Sequence, residues 1–228
     1  MNNNFIELMA ASTELAQDFP DGLIYIGGIA VYLHAINQRS TKDLAETTHD
    51  ADLYISLADF ADLRELEEVS TNKRLSKHEL KKRGFSFDIY TERHASLRVP
   101  YDAVSAYSVT YGQVKVACLE HLLVLKVGAY VDRKGSAKGE KDARDILRIV
   151  AVAEATGNSL RTNLILPYWG EEEVEELQLI AKGSGPTALA NGNAHEAKRF
   201  RQALQDTNDA LKKALLLLDA AQRTKPRL

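Results

Sequence analysis

Asp50 and Asp52 stand one residue apart at the head of the apolar run Leu53-Tyr54-Ile55, an arrangement that a strand tolerates only with a counter-ion. Residues i and i+2 of a strand point the same way, about 6–7 Å apart, so both carboxylates share one face while Leu53 and Ile55 take the other. Like charges on a partly buried face disfavour each other's ionisation. A hard cation with oxygen ligands removes the conflict. Gly84-Phe85-Ser86-Phe87-Asp88-Ile89-Tyr90 predicts a second buried strand, with Phe85, Phe87 and Ile89 on one face and Asp88 on the other. If the two strands are neighbours, Asp50, Asp52 and Asp88 converge into a carboxylate set that holds two Mg²⁺ ions, or Mn²⁺, for phosphoryl chemistry.

The run Leu23-Ile24-Tyr25-Ile26 enters Gly27-Gly28, and Ile29 to His34 have helix-compatible composition. The glycine pair therefore sits at a strand-to-helix turn. Glycine permits close backbone approach, and a helix N-terminus favours a phosphate, so Gly27 and Gly28 are candidates for phosphate binding. A plain tight turn is the competing reading.

Further along, Leu119 to Val131 places Leu122, Leu123, Lys126, Ala129 and Tyr130 on one side of a helix. Lys126 puts a charge on an otherwise apolar stripe, and a buried ammonium needs a partner. Either it reaches a phosphate group or it snorkels at the stripe's edge. In Lys141 to Val150, Asp142 and Asp145 share a side with Ile146 and Ile149 and are expected to point inward. Gly135 to Gly139, between the two helices, reads as a mobile loop able to close over a substrate.

In order and type, the strand, Gly-Gly, helix, Asp-x-Asp strand and later Asp strand resemble the nucleotidyltransferase superfamily that includes DNA polymerase beta, the CCA-adding enzymes and the aminoglycoside nucleotidyltransferases. Within it, Gly27 to His34 followed by Arg39 and the Asp-x-Asp looks most like the AbiEii-like abortive-infection group, whose known members are nucleotidyltransferase toxins. The resemblance covers roughly residues 20–150. It implies a functional lysine at Lys126 and a Lys-Asp-x-x-Asp segment in which Asp142 organises that lysine and the nucleotide, with Asp145 beside it. A purely structural ion pair of Asp142 with Lys126 or Arg144 is the alternative. Arg39-Ser40-Thr41-Lys42-Asp43-Leu44 imitates the group's approach to the metal site, but Ala45 stands where a second carboxylate is needed. Asp50 and Asp52 are therefore assigned the metal, the residues between Arg39 and Asp50 become an insertion near the site, and Arg39 is a candidate nucleotide contact.

The resemblance implies a reaction. Asp50, Asp52 and Asp88 hold the metal, Asp88 draws the proton from an acceptor hydroxyl, Lys126 lies on the phosphates of an NTP, and pyrophosphate leaves. The expected acceptor is RNA, above all the 3′ end of tRNA, as in toxins that have a cognate antitoxin and act in phage defence. A protein hydroxyl, as in AMPylation, is second, and a small molecule, as in antibiotic modification, is third. A non-catalytic nucleotide-binding or interaction module is the reading of a different class.

Charge patterning bears on the acceptor. Residues 1–69 carry 3 basic and 13 acidic side chains, residues 70–148 carry 16 and 9, and residues 149–228 carry 10 and 10. The basic middle third contains Lys73, Arg74, Lys77, Lys81, Lys82 and Arg83, then Arg133, Lys134, Lys138, Lys141, Arg144 and Arg148. Both clusters suit phosphate contact, and the bland reading of the first is a solvated helix face. Cys118, the single cysteine, excludes an internal disulfide and a cysteine-based zinc site, and its apolar setting favours an inert thiol. No apolar stretch nears the roughly 20 residues of a membrane span, and Met1-Asn2-Asn3-Asn4 does not start like a secretory signal. A cytoplasmic protein with no membrane association is expected.

The architecture predicted is α+β: a nucleotidyltransferase core over residues 1–115, a small mixed sheet flanked by helices, and a helical C-terminal region over 116–228 that completes the cleft. Glu171-Glu172-Glu173 open an acidic helix that Gly183 to Pro186 ends. Ala194 to Gln222 reads as a long helix, with Leu215 to Leu218 buried against the body or a partner. His49 is expected to pack rather than to do chemistry.

Overall fold

The computed structural model describes residues 3–72, 77–94 and 97–223. Seven strands form one mixed sheet: β1 (Leu23–Tyr25), β2 (Asp50–Ile55), β3 (Val69–Asn72), β4 (Lys77–Lys82), β5 (Phe85–Thr91), β6 (Val109–Tyr111) and β7 (Val114–Val116), in the order β3-β4-β5-β2-β1-β7-β6. The α+β class is as the sequence predicts. The apolar runs take the centre: Leu23, Ile24, Tyr25, Leu53, Tyr54 and Ile55 are at most 1% exposed, so these strands are covered on both faces, as their unbroken hydrophobicity requires.

Two features of the sheet position the site. Strand β2 runs antiparallel to β1 and parallel to β5, in a register that sets Asp50 opposite Ser86 and Asp52 opposite Asp88. The backbone N–H of Ile26 donates to the Asp52 carbonyl at 3.0 Å, which brings Gly27 and the start of α2 (Gly28–Ile36) against the carboxylate end of β2. On the far side of β5, β4 returns antiparallel through a two-residue turn in which Arg83 and Gly84 both have positive φ, 51° and 81°, the geometry that matches strand twist in a tight hairpin. The helix-face reading of Lys77 to Arg83 is thus corrected: these residues are strand β4 and its turn, because Leu80 is drawn into the core opposite Phe87.

Before β2, α1 (Asn3–Asp18) packs on β1 and β7; after it, α3 (Leu57–Leu66) begins at Ser56, whose hydroxyl accepts from the Asp59 N–H at 3.1 Å, and α4 (Tyr101–Ala106) precedes the β6–β7 hairpin. Helices α5 (Leu119–Asp132) and α6 (Ala137–Ala155) pack together as an antiparallel pair. Their turn needs Gly135, at φ 74°, and Ser136, whose hydroxyl accepts from the Gly139 N–H at 3.1 Å, a helix N-cap. The mobile loop expected over Gly135 to Gly139 is therefore corrected to a capped turn, with residues 137–139 forming the first turn of α6. A methyl on Gly139 would lie 2.3 Å from the Arg133 carbonyl oxygen, which explains that glycine.

Helices α7 (Thr162–Ile165), α8 (Glu171–Lys182), α9 (Gly185–Leu189) and α10 (Ala194–Arg223) complete the fold. Phe200, Leu204 and Leu211 of α10 are buried, whereas Leu216, Leu217 and Leu218 are 61%, 63% and 42% exposed. Burial of that leucine run against the body is overturned: α10 outlasts the surface it packs on. Among the described residues, no helix is long and apolar enough to cross a membrane.

Candidate active site

The register of β2 and β5 puts Asp50, Asp52 and Asp88 on one wall of a cavity of about 510 Å³. Gly28, Thr48 and Tyr90 continue that wall, Lys77 enters from β4, and Lys126, Arg133, Lys138, Lys141 and Asp142 face it from α5 and α6. Carboxylates thus lie opposite ammonium and guanidinium groups across a space the size of a small-ligand site.

Asp52 sits deepest of the three. Burial, reinforced by the negative charge of Asp50 and Asp88 and only partly offset by Lys126, pushes its carboxyl up to about 6. Gly27 is what makes room for it: a methyl there would lie 2.0 Å from Asp52 Oδ2. The structure hence gives Gly27 a role in seating Asp52, while Gly28 is the glycine that borders the cavity. Asp50 lies at the mouth. Burial raises its pKa, but the Thr48 hydroxyl, donating at 2.8 Å, and Lys141 and Lys138 outweigh that and hold it below the usual carboxylate range. Lys141 Nζ donates in turn to the Thr48 hydroxyl at 3.1 Å, which links the N-terminus of α6 to the metal-ligand candidates. Asp88 is held by the ammonium of Lys77. Among the described residues, no three His, Cys, Asp or Glu side chains form a ready-made metal cage.

Behind the cavity lies a buried ionic network. Lys126 is 8% exposed, and its ammonium rests 3.1 Å from Asp142 Oδ1 and 2.8 Å from Asp145 Oδ2. Burial works against this charge, but Asp145 and Asp142 outweigh it and raise the pKa further, so Lys126 stays protonated and is no base. Snorkelling is thereby corrected, because the stem leads inward to two carboxylates. Arg133 closes on Asp142 Oδ2 at 2.9 Å, and Arg148 on Asp145 Oδ1 at 2.8 Å. Arg148 also donates to the Leu44 carbonyl at 2.7 Å and pairs with Glu46, tying α6 to the segment before β2. A buried charge network demands opposite charges at such distances. Asp145 stands behind Lys126 and does not line the cavity.

Arg39 is exposed after α2 and does not line this cavity; Asp43 is likewise exposed, in a 3₁₀ turn over Lys42–Leu44. His49 is exposed as well, which overturns its packing role. Of the basic clusters, Lys73 and Arg74 lie outside the described residues. Lys77, Lys82 and Arg83 pair with Asp88, Glu67 and Glu14, whereas Lys138 is exposed, lines the cavity and joins no ion pair among the described residues. Cys118 is buried, its thiol pushed up to about 12 by burial, as an inert thiol should be.

Sequence reasoning missed Tyr90 and Arg98, and placed Lys77 only in a basic cluster suited to phosphate contact, not against Asp88. Tyr90 had a signal, since it lies two residues beyond Asp88 on the same strand face. Its phenol is raised beyond the ordinary tyrosine range by burial and by Asp52 and Asp88, and it keeps its proton beside them. Arg98 lies over Gly128 of α5, where a methyl would meet its Nε at 3.0 Å, and pairs with buried Glu173 of α8; no local pattern announces that contact.

No protein-family profile and no curated protein matches the chain. Solved structures do. The crystal structure of JHP933 from Helicobacter pylori superposes with a TM-score of 0.55 at 12% identity, over 97% of this chain and 99% of that one. An antigenic nucleotidyltransferase-like protein from Paracoccidioides brasiliensis superposes with a TM-score of 0.50 at 21% identity, over 87% and 92% of the two chains. At these identities the likeness shows a shared fold, which spans nearly the whole of each chain.

Proposed function

We propose that the protein is a metal-dependent nucleotidyltransferase that moves an NMP from an NTP to an acceptor hydroxyl. The observation that carries this reading is the placement of Asp50, Asp52 and Asp88 on one cavity wall, facing Lys126, Lys138 and Lys141. The shared fold with a nucleotidyltransferase-like protein supports it.

The donor set fits a hard divalent cation. It offers carboxylate oxygens alone, and burial together with the negative charge of Asp50 and Asp88 pushes Asp52 up to about 6 against the pull of Lys126 and Arg133, a conflict that a bound cation would relieve. Asp50, Asp52 and Asp88 would hold Mg²⁺, as two ions, or Mn²⁺; bound there, the metal neutralises phosphate charge and lowers the pKa of the acceptor hydroxyl. The chain's own groups do the rest. Gly28 brings backbone amides at the N-terminus of α2 to the phosphates. Lys138 and Lys141, near the N-terminus of α6, bind the triphosphate of the NTP, and Lys126 lends positive potential from behind while its ammonium holds Asp142 and Asp145 in place. Asp88 accepts the acceptor's proton.

The acceptor in this reading is RNA, with the tRNA 3′ end first, and the role that of a toxin with a cognate antitoxin in phage defence. The support for RNA is the charge at the cavity, exposed Lys138 beside half-buried Lys141, since Arg133 and much of the earlier cluster are internally paired. The test is incubation with each α-phosphate-labelled NTP, Mg²⁺ and cell extract, with Asp52→Ala as control. Label in RNA, lost in the control, is expected. Label in protein or small molecules moves the acceptor to that class, and NTP binding without any transfer would leave a non-catalytic nucleotide-binding module.

A further inference from the structure

We propose that Lys77 is a built-in counter-ion that controls access of a divalent cation to the carboxylate wall by exchanging Asp88 for Glu79. The proposal rests on the metal-binding reading above. Three adjacent strands set Glu79 opposite Asp88 and Asp88 opposite Asp52, so three carboxylates form one row across β4, β5 and β2. Lys77 lies two residues before Glu79, on the same face of β4. Its ammonium pairs with Asp88 Oδ2 and stands 3.6 Å from Glu79 Oε1, with the side chain 14% exposed.

Lys77 serves Asp88 as the cation would, and the two compete for the same oxygens. While Lys77 holds Asp88, that carboxylate is committed to β4, in keeping with the lack of a ready-made cage among the described residues. Lysine suits an exchange because it carries a point charge on a flexible stem, whereas arginine's rigid fork would lock the pair. Glu79 supplies the alternative partner within a short swing, and its Oε1 is steadied by the Asn72 side-chain amide at 3.1 Å. Moved to Glu79, Lys77 frees Asp88 and remains beside the cavity.

The test is Mn²⁺ binding to the whole chain without nucleotide, followed by electron paramagnetic resonance and calorimetry. Lys77→Met and Lys77→Gln should tighten binding about tenfold, the size of a one-unit pKa effect from a neighbouring charge, and Lys77→Arg should weaken it. Glu79→Gln should weaken binding several-fold, and that loss should shrink in a Lys77→Met background. Unchanged or weaker binding in folded Lys77→Met and Lys77→Gln, with wild-type binding that Asp52→Ala abolishes, overturns this inference alone. Absence of Asp52-dependent binding in the wild type overturns the metal reading and this inference with it.

Discussion

Asp52 and Asp88 face each other directly across the parallel pair β2 and β5, with no residue between them to separate their charges. Burial, with the charges of Asp50 and Asp88 added to it, pushes the Asp52 carboxyl up to about 6, above the ordinary carboxylate value. A folded pKa above the unfolded one means that the native state binds the proton more tightly, so stability present at low pH is lost as pH rises from about 4 through 6. The shift corresponds to roughly 3 kcal/mol at most. Denaturant unfolding of Asp52→Asn across pH 4–8 should therefore show a shallower decline and higher stability than wild type above pH 6. Parallel curves would mean that Asp52 is already compensated. The same variant should lose transfer by a factor of about 100 or more, in line with loss of a group that acts on the transition state.

Gly27→Ala tests the seating of that carboxylate. The added methyl would lie 2.0 Å from Asp52 Oδ2, so Asp52 must rotate away or the turn must shift, at about 1–3 kcal/mol. A folded protein with transfer reduced at least about tenfold is the expected outcome. Wild-type transfer rates would remove Asp52 from the reaction or show that the turn yields freely.

Lys126→Met should be the most destabilising change at the site. It strips Asp142 and Asp145 of their shared ammonium in a setting where both carboxylates are at most 3% exposed, a loss of about 3–5 kcal/mol for a broken buried pair. Thermal unfolding reads it directly. A drop below about 1 kcal/mol would mean that Arg133 and Arg148 carry both carboxylates unaided.

Lys138→Ala separates binding from folding. Its side chain is exposed and joins no ion pair among the described residues, so the melting temperature should stay put. Loss of one charge near a triphosphate, about 1 kcal/mol, should raise KM for the NTP roughly fivefold and leave kcat nearly unchanged. An unchanged KM would take the first turn of α6 away from the phosphates.

The sequence by itself determined the elements whose patterns are local. Strand β2 with its two carboxylates, strand β5 with Asp88, the Gly27-Gly28 turn into α2, and the α5 and α6 faces bearing Lys126, Asp142 and Asp145 all follow from periods of two and of 3.6 residues. Local pattern was silent or misleading where a residue's role depends on what packs over it. The capped turn at Ser136 looked like a mobile loop, since small and basic residues suit a lid as well as an N-cap. Leu215 to Leu218 looked buried, yet α10 runs past the body it packs on. Only the tertiary structure decided that Asp52 meets Asp88 in register, that Gly27 makes room for Asp52, and that β4 brings Lys77 and Glu79 to the same row. Strand order and register are set by which apolar faces bury together across long separations in the chain, and the chemistry of the site is read from those pairings.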